Sequence, residues 1–170
     1  ANGYYEMVLP EDSYDLTVNA TNYAPQTKPN ITAANYQIID QNFFLNPVSC
    51  TTYDSIDVPV PIPVTGPQTV TSTLTVTNNG PIYDINVLNL KGTHSYMEDL
   101  DFNLSSPANT TIRLMDPTCG NTNDFDLNLD DDASARGWPC PPIDGGTYRP
   151  HNPLSTFTAE DMNGEWTLTL

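Results

Sequence analysis

Seven aspartates fall in three short clusters: Asp99 and Asp101, Asp124 and Asp126, and the consecutive Asp130, Asp131 and Asp132. A spacing of two on an extended chain places side chains on the same face. Three adjacent carboxylates repel one another unless they are solvated or share a cation. Ca²⁺ is the cation that such oxygens suit, because it takes its ligands from carboxylates, amides and backbone carbonyls. If the Asp130–Asp132 loop folds over the strand that carries Asp99 and Asp101, the oxygens converge on one ion. The seven aspartates are therefore the expected metal ligands and calcium the expected cofactor. The plain counterpart is a solvated acidic rim.

Catalytic chemistry finds little support. The two histidines are His94 and His151. The sequence has no G-x-S-x-G elbow and no H-E-x-x-H helix, and its cysteine spacing does not suit zinc. His94 reads as a hydrogen-bonding anchor for a loop. His151 follows Arg149-Pro150 and has no obvious partner. The chain by itself is expected not to be an enzyme.

Of the three cysteines, Cys119 and Cys140 flank a polar, Asp-rich loop. A disulfide there closes about 20 residues and contributes roughly 3 kcal/mol. It fits an oxidising compartment. The alternative is two buried free thiols. Cys50 is left over, which points to a partner outside this chain.

The 170 residues carry five Lys+Arg against 21 Asp+Glu, a net charge of -16. Nucleic acid and anionic membrane surfaces are disfavoured as partners, because their phosphates are repelled. No apolar run has the length of a membrane span. No signal peptide is visible, so a secreted protein would carry its signal outside these residues.

These side chains need a scaffold, and its type is legible. Thr and the nine Tyr suit strands, while Asn, Asp and Pro suit turns. No stretch shows a helical period of useful length, so the chain reads as all-β. In residues 1–46, Tyr5, Met7 and Leu9 alternate. Pro10-Glu11-Asp12-Ser13 reads as a turn, and Tyr14, Leu16 and Val18 as the next strand. Asn22-Tyr23-Ala24-Pro25 breaks the pattern, and Phe43 and Leu45 close a last strand. This is too little chain for a core of its own. Residues 47–67 hold Pro59, Pro61, Pro63 and Pro67, and read as an extended edge or connector.

Residues 68–170 have stronger strands. Val70, Ser72, Leu74 and Val76 share a face, and Asn78-Asn79-Gly80 marks a turn. Ile85 and Val87, then Leu88 and Leu90, form a strand whose alternation slips once, as at a bulge. Leu100, Phe102 and Leu104 alternate, as do Phe125, Leu127 and Leu129. Ile112 and Leu114 follow a Ser-Pro-Ala-Asn turn. Trp166, Leu168 and Leu170 make the last strand, which places Trp166 in the core. Many short strands with regular turns argue a jelly-roll-like β-sandwich. Trp138, beside Cys140, is expected to pack on the disulfide.

The first segment resembles the second half of a carboxypeptidase-regulatory-like domain, a small transthyretin-like sandwich. The matching residues are Ala-Asn-Gly-Tyr-Tyr at 1–5, then LPEDSYDLTVNATNYAPQT, then FFLNP. They follow the pattern GxY…LPxGxYxLxVxAxGY, with Glu11-Asp12-Ser13 where that family has a tight turn. The resemblance implies further strands before Ala1.

The last segment resembles the P (Homo B) domain of proprotein convertases in its bacterial form. Val70 to Val76 with Ile82 to Val87 resembles the opening hairpin. Thr93-His94-Ser95-Tyr96 with Asp99-Leu100 resembles HTYxxDL, and Leu104-Ser105-Ser106-Pro107 resembles LxSPxGT, with Asn109 in place of Gly. Leu129-Asp130-Asp131-Asp132-Ala133 resembles FDDxA. Gly146 to Pro150 with Pro153 to Phe157 resembles GxYxPxxPLSxF, and Gly164 to Leu168 resembles GxWxLxV. His94 and Trp166 belong to this signature.

The resemblance implies one more strand after Leu170 and a bond from Cys50 to a cysteine beyond it. It also implies an accessory module of a secreted subtilisin-like protease, packed on that protease's catalytic domain. The corresponding location is extracellular or at the cell surface, and related domains use such carboxylates for calcium. Two alternatives have different partners. One is a structural subunit of an extracellular fibre or adhesive assembly, its strands completed by neighbouring chains. The other is a glycan-binding module. The Asn-x-Ser/Thr triplets at Asn19, Asn30, Asn103 and Asn109 arise readily in Thr-rich strands, and no glycan is assigned to them.

Overall fold

The structure, a computed structural model, describes residues 5–20, 23–35, 37–63, 66, 68–135 and 137–170. It divides into two compact units, residues 1–50 and 51–170.

The first unit is built on one antiparallel hairpin, β1 (Asp12–Ala20) and β2 (Tyr23–Ala33). Tyr14, Leu16 and Val18 share one face of β1, and each is only half-buried. None of the described residues of this unit is fully buried, and Met7, Val8, Ile38 and Phe44 are exposed. A two-stranded ribbon has one layer and nothing to close over it. Three local expectations are corrected. Asp12 and Ser13 already pair with Ala33 and Thr32, so they belong to β1 and not to a turn. Tyr23 to Pro25 lie in β2, where Pro25 falls at the register shift between Val18 and Ala20; Asn22 is outside the described residues. Neither Tyr5 to Leu9 nor Phe43 to Leu45 forms a strand. The 42–47 segment is instead pinned to β2 by contacts that are mostly not ladder bonds. Lys28 Nζ donates to Asn42 O at 2.6 Å and lies over the Phe43 ring, Gln26 Nε2 donates to Phe44 O at 2.6 Å, and Ala24 N–H donates to Asn46 O at 2.9 Å.

The second unit has a core. One sheet has the order β3 (Thr71–Val76), β9 (Gly164–Thr169), β5 (Phe102–Ser105), β6 (Thr111–Met115), all antiparallel. The other has the order β4 (Val87–Gly92), β7 (Phe125–Leu129), β8 (Thr147–Tyr148), with β7 and β8 parallel. Phe102, Leu104, Ile112, Leu114 and Trp166 from the first sheet meet Leu90, Phe125, Leu127 and Leu129 from the second in one buried cluster. Phe102 and Phe125 join the sheets edge to face, with ring centroids 4.9 Å apart. Two 3₁₀ turns, Met97–Asp99 and Leu154–Phe157, cap the cluster with Met97, Leu154 and Phe157. The unit is therefore an all-β sandwich, as the alternation of its strands predicts.

The slip in β4 is a real bulge. The register shifts between Val87 and Leu90, and Asn89 turns to φ +55° with its N–H donated to Asn128 Oδ1 at 2.8 Å. The hairpin expected from Val70–Val76 and Ile82–Val87 does not form, because β3 and β4 lie in different sheets. β3 pairs with β9, so the sheet is closed by a strand some ninety residues later in the chain. The Pro-rich stretch before β3 contains no strand among its described residues. Tyr53 and Ile62 still pack against the core, and Asp57 fastens the stretch to the edge of β3.

Candidate functional site

The seven expected ligands do not gather. Asp99 closes a 3₁₀ turn and does not lie on a strand, so it does not share a strand face with Asp101. Asp101 stands just before β5, where its Oδ2 accepts from Arg113 Nη2 at 2.7 Å and its Oδ1 from Asn103 Nδ2 at 3.3 Å. Asp124 and Asp126 bracket Phe125 at the start of β7. Asp124 is at φ +67°, and its Oδ1 accepts the His94 N–H at 3.1 Å while its own N–H donates to His94 O at 3.0 Å. Asp126 stands opposite Lys91 on β4.

Two of the three aspartates after β7 accept from the backbone. Asp130 Oδ1 accepts the Asp132 N–H at 2.7 Å. Asp131 uses both oxygens, taking the N–H of Leu154 at 2.9 Å and of Ser155 at 2.8 Å. The reason the clusters stay apart is topological. Asp101 precedes β5 in one sheet, while Asp124 and the Asp130–Asp132 run stand at opposite ends of β7 in the other. Among the described residues no group of three or more His, Cys, Asp or Glu side chains stands where it could hold a metal ion. The seven carboxylates do not fit one calcium shell.

One further carboxylate feels the triad's charge. Asp84, which the sequence did not single out, faces the triad from the segment before β4. Partial removal of its carboxyl from water raises its pKa first, and the charge of Asp130 raises it next, with Asp132 and Asp131 adding to it. Nothing local in the sequence announces this, since Asp84 and Asp130 are separated by the whole of β4 to β7.

His94 is buried and serves its loop. Its Nδ1 lies 3.0 Å from Tyr96 O and 3.2 Å from Tyr96 N, so the ring closes the turn that leads into Met97. With Asp99, Asp101 and Asn103 it lines a depression that also includes Val70 and Leu170. Trp166 is buried, donates Nε1–H to Met162 O at 3.0 Å, and meets Phe157 edge to face at 5.1 Å. His151, for which the sequence offered no partner, has one: its Nδ1 is 3.5 Å from Asp116 Oδ1.

Cys119 and Cys140 form a disulfide with Cα atoms 5.1 Å apart, and Cys50 is free and exposed. The bridge ties the β6–β7 connection to the long loop after β7. Trp138 is half-buried against the same cluster that Cys119 touches.

The sites that the sequence motifs occupy are thus joints of the sandwich: the His94–Asp124 exchange, the Asp131 cap and the Trp166 anchor. Comparison with known proteins addresses what such a frame is. No curated protein and no solved structure matches the chain. A family model described as the proprotein convertase P-domain matches residues 84–170, just over half of the chain and all strands from β4 to β9. The His94, Asp131 and Trp166 joints all lie within that match, and the chain belongs to the proprotein convertase P-domain family.

Proposed function

We propose that this chain is a calcium-stabilised, extracellular accessory module of a secreted subtilisin-like protease. The P domain is a non-catalytic accessory domain that normally associates with a protease catalytic domain. The observation that carries the reading is the family match over β4 to β9. The Cys119–Cys140 disulfide supports an oxidising compartment. No helix among the described residues is long and apolar enough to cross a membrane.

Calcium enters the proposal in altered form. The candidate face is Asp84 beside Asp130, where burial first and the charge of Asp130 next push one carboxyl toward its neutral form. A divalent ion there acts as a loosely held counter-ion and not as the centre of a closed shell. The first unit enters as part of a carboxypeptidase-regulatory-like sandwich, a reading that its uncovered apolar residues support.

The test is to isolate the native polypeptide that contains these residues and map it by mass spectrometry. A catalytic Ser-His-Asp protease domain in the same polypeptide, or one that co-purifies with it, is the expected result. A polypeptide of repeated β-modules with no protease in it or bound to it overturns the reading.

A further inference from the structure

The sequence contains three Asn-Gly pairs. Such a pair is chemically labile, because glycine has no side chain to shield its backbone nitrogen from the amide of the asparagine before it. That nitrogen can attack the asparagine Cγ. A C–N bond then forms, the Cγ–Nδ2 bond breaks, and ammonia leaves with the proton that the backbone nitrogen gave up. Water opens the cyclic imide to aspartate or isoaspartate, with no cofactor and no oxidant. Asn2-Gly3 lies outside the described residues. The other two pairs, Asn79-Gly80 and Asn163-Gly164, meet at one carboxylate oxygen.

Asp161 Oδ1 accepts the Gly80 N–H at 3.0 Å and the Asn163 N–H at 3.1 Å. The first of these belongs to the nitrogen that would attack Asn79. The Gly80 peptide is held on its other side as well. Its carbonyl accepts the Met162 N–H at 2.9 Å, and Pro81 pairs with Asp161 as an isolated bridge. Gly80 stands at φ +135°, a conformation suited to glycine, so the turn itself requires the labile residue type. Asn79 is exposed, and water reaches it freely.

Two effects oppose the reaction in the folded chain. A carboxylate against the Gly80 N–H disfavours loss of that proton, which would set two negative charges side by side. The N–H bonds from Gly80 and Asn163 also hold the Asp161 carboxyl below its ordinary pKa, which keeps it ionised. The second effect is geometric. Ring closure needs the reacting atoms aligned at close range, and a peptide fixed on both sides cannot turn its nitrogen toward the Asn79 amide. We infer that Asn79 is a latent deamidation site that Asp161 keeps unreacted in the folded protein. Conversion would add a carboxylate close to Asp161 and, as isoaspartate, an extra main-chain carbon to the turn after β3. The inference does not depend on any protease-docking role.

The whole chain and its Asp161→Ala and Asp161→Asn variants are incubated in mildly alkaline buffer, both folded and in urea. Peptide mapping by mass spectrometry follows asparagine, aspartate and isoaspartate at position 79. Wild-type Asn79 is expected to react about tenfold or more slower in the folded chain than in urea, and folded Asp161→Ala to recover most of the urea rate. Asp161→Asn keeps a carbonyl acceptor and is expected to fall between the two. Melting temperatures establish that the variants are folded during the incubation. Amide exchange followed by NMR is a second readout that needs no variant, and the Gly80 N–H is expected to exchange slowly in the wild type. Equal folded rates in wild type and Asp161→Ala overturn the inference. So does a slower rate in Asp161→Ala, which would make Asp161 a base for the reaction, or fast exchange of the wild-type Gly80 N–H.

Discussion

The carboxylate of Asp131 holds the backbone N–H of Ser155 at 2.8 Å with one oxygen while the other holds Leu154 at 2.9 Å. A side chain in the middle of an Asp-Asp-Asp run thus caps a 3₁₀ turn more than twenty residues away. That turn delivers Leu154 and Phe157, two of the most deeply buried side chains, to the core. Replacing Asp131 by Ala leaves two N–H groups without acceptors and is expected to cost about 1–2 kcal/mol. Asp131→Asn retains one acceptor and recovers part of the loss. Urea unfolding of both variants measures the difference. Equal midpoints for wild type and Asp131→Ala contradict the cap.

Asp57 makes a prediction about acid. Hydrogen bonds from Ser55 Oγ, then Ser72 Oγ, then the Thr73 N–H lower its pKa to about 2. A carboxylate depressed by folding stabilises at pH above its ordinary value of 3.8, and that contribution is lost as pH falls through about 2. A carboxyl-carbon NMR titration is expected to place the Asp57 midpoint near 2. In Asp57→Asn the stability curve loses this part of its slope between the two values. A midpoint at the ordinary carboxylate value means that the Pro-rich stretch is not fastened to β3 in solution.

Asp84 carries the opposite sign. Its pKa is raised by burial and by Asp130, so its ionised form opposes folding above the folded-state pKa. The penalty is relieved as pH falls through that value and is absent below the unfolded value of 3.8. Asp84→Asn is expected to melt higher than wild type at neutral pH, with the gap closing in acid. Millimolar calcium is expected to raise the wild-type melting temperature and to narrow the same gap. Thermal melts with and without chelator across pH measure both effects. A gap that ignores calcium removes the counter-ion proposal and leaves the P-domain assignment untouched.

Gly92 faces Phe125 across β4 and β7, and a Cβ built on it meets the ring at 2.6 Å. The ring is buried and held edge to face by Phe102, so it has little room to give way. Gly92→Ala is expected to destabilise by roughly 1–3 kcal/mol through overpacking. The companion Gly92→Ala/Phe125→Leu is expected to regain part of the loss, by calorimetric melting.

The sequence by itself showed the strands β3, β5, β6, β7 and β9 of the second unit and the core side chains they carry, but not the 3₁₀ turns that deliver Met97, Leu154 and Phe157. Phe125, Leu127 and Leu129 alternate with polar neighbours and are all buried, as are Phe102 and Leu104. Alternation is local, because a strand turns every second side chain to the same face whichever strand it pairs with. The ordered motifs determined the family for the same reason, since each is a short stretch read in place. Even the bulge in β4 showed as a slip in the pattern.

Pairing is not local, and there the tertiary structure decided. Nothing in Val70–Val76 says that its partner is β9 and not the next strand, since two apolar faces of the same period are equally good neighbours. The same gap explains the metal site. Spacing paired Asp99 with Asp101 on one strand, but the fold puts Asp99 in a 3₁₀ turn and sets Asp101 against Arg113. Only the fold could bring Asp84 within range of the like charge of Asp130, and His151 Nδ1 to 3.5 Å from Asp116 Oδ1, because each pair comes from elements far apart in the chain.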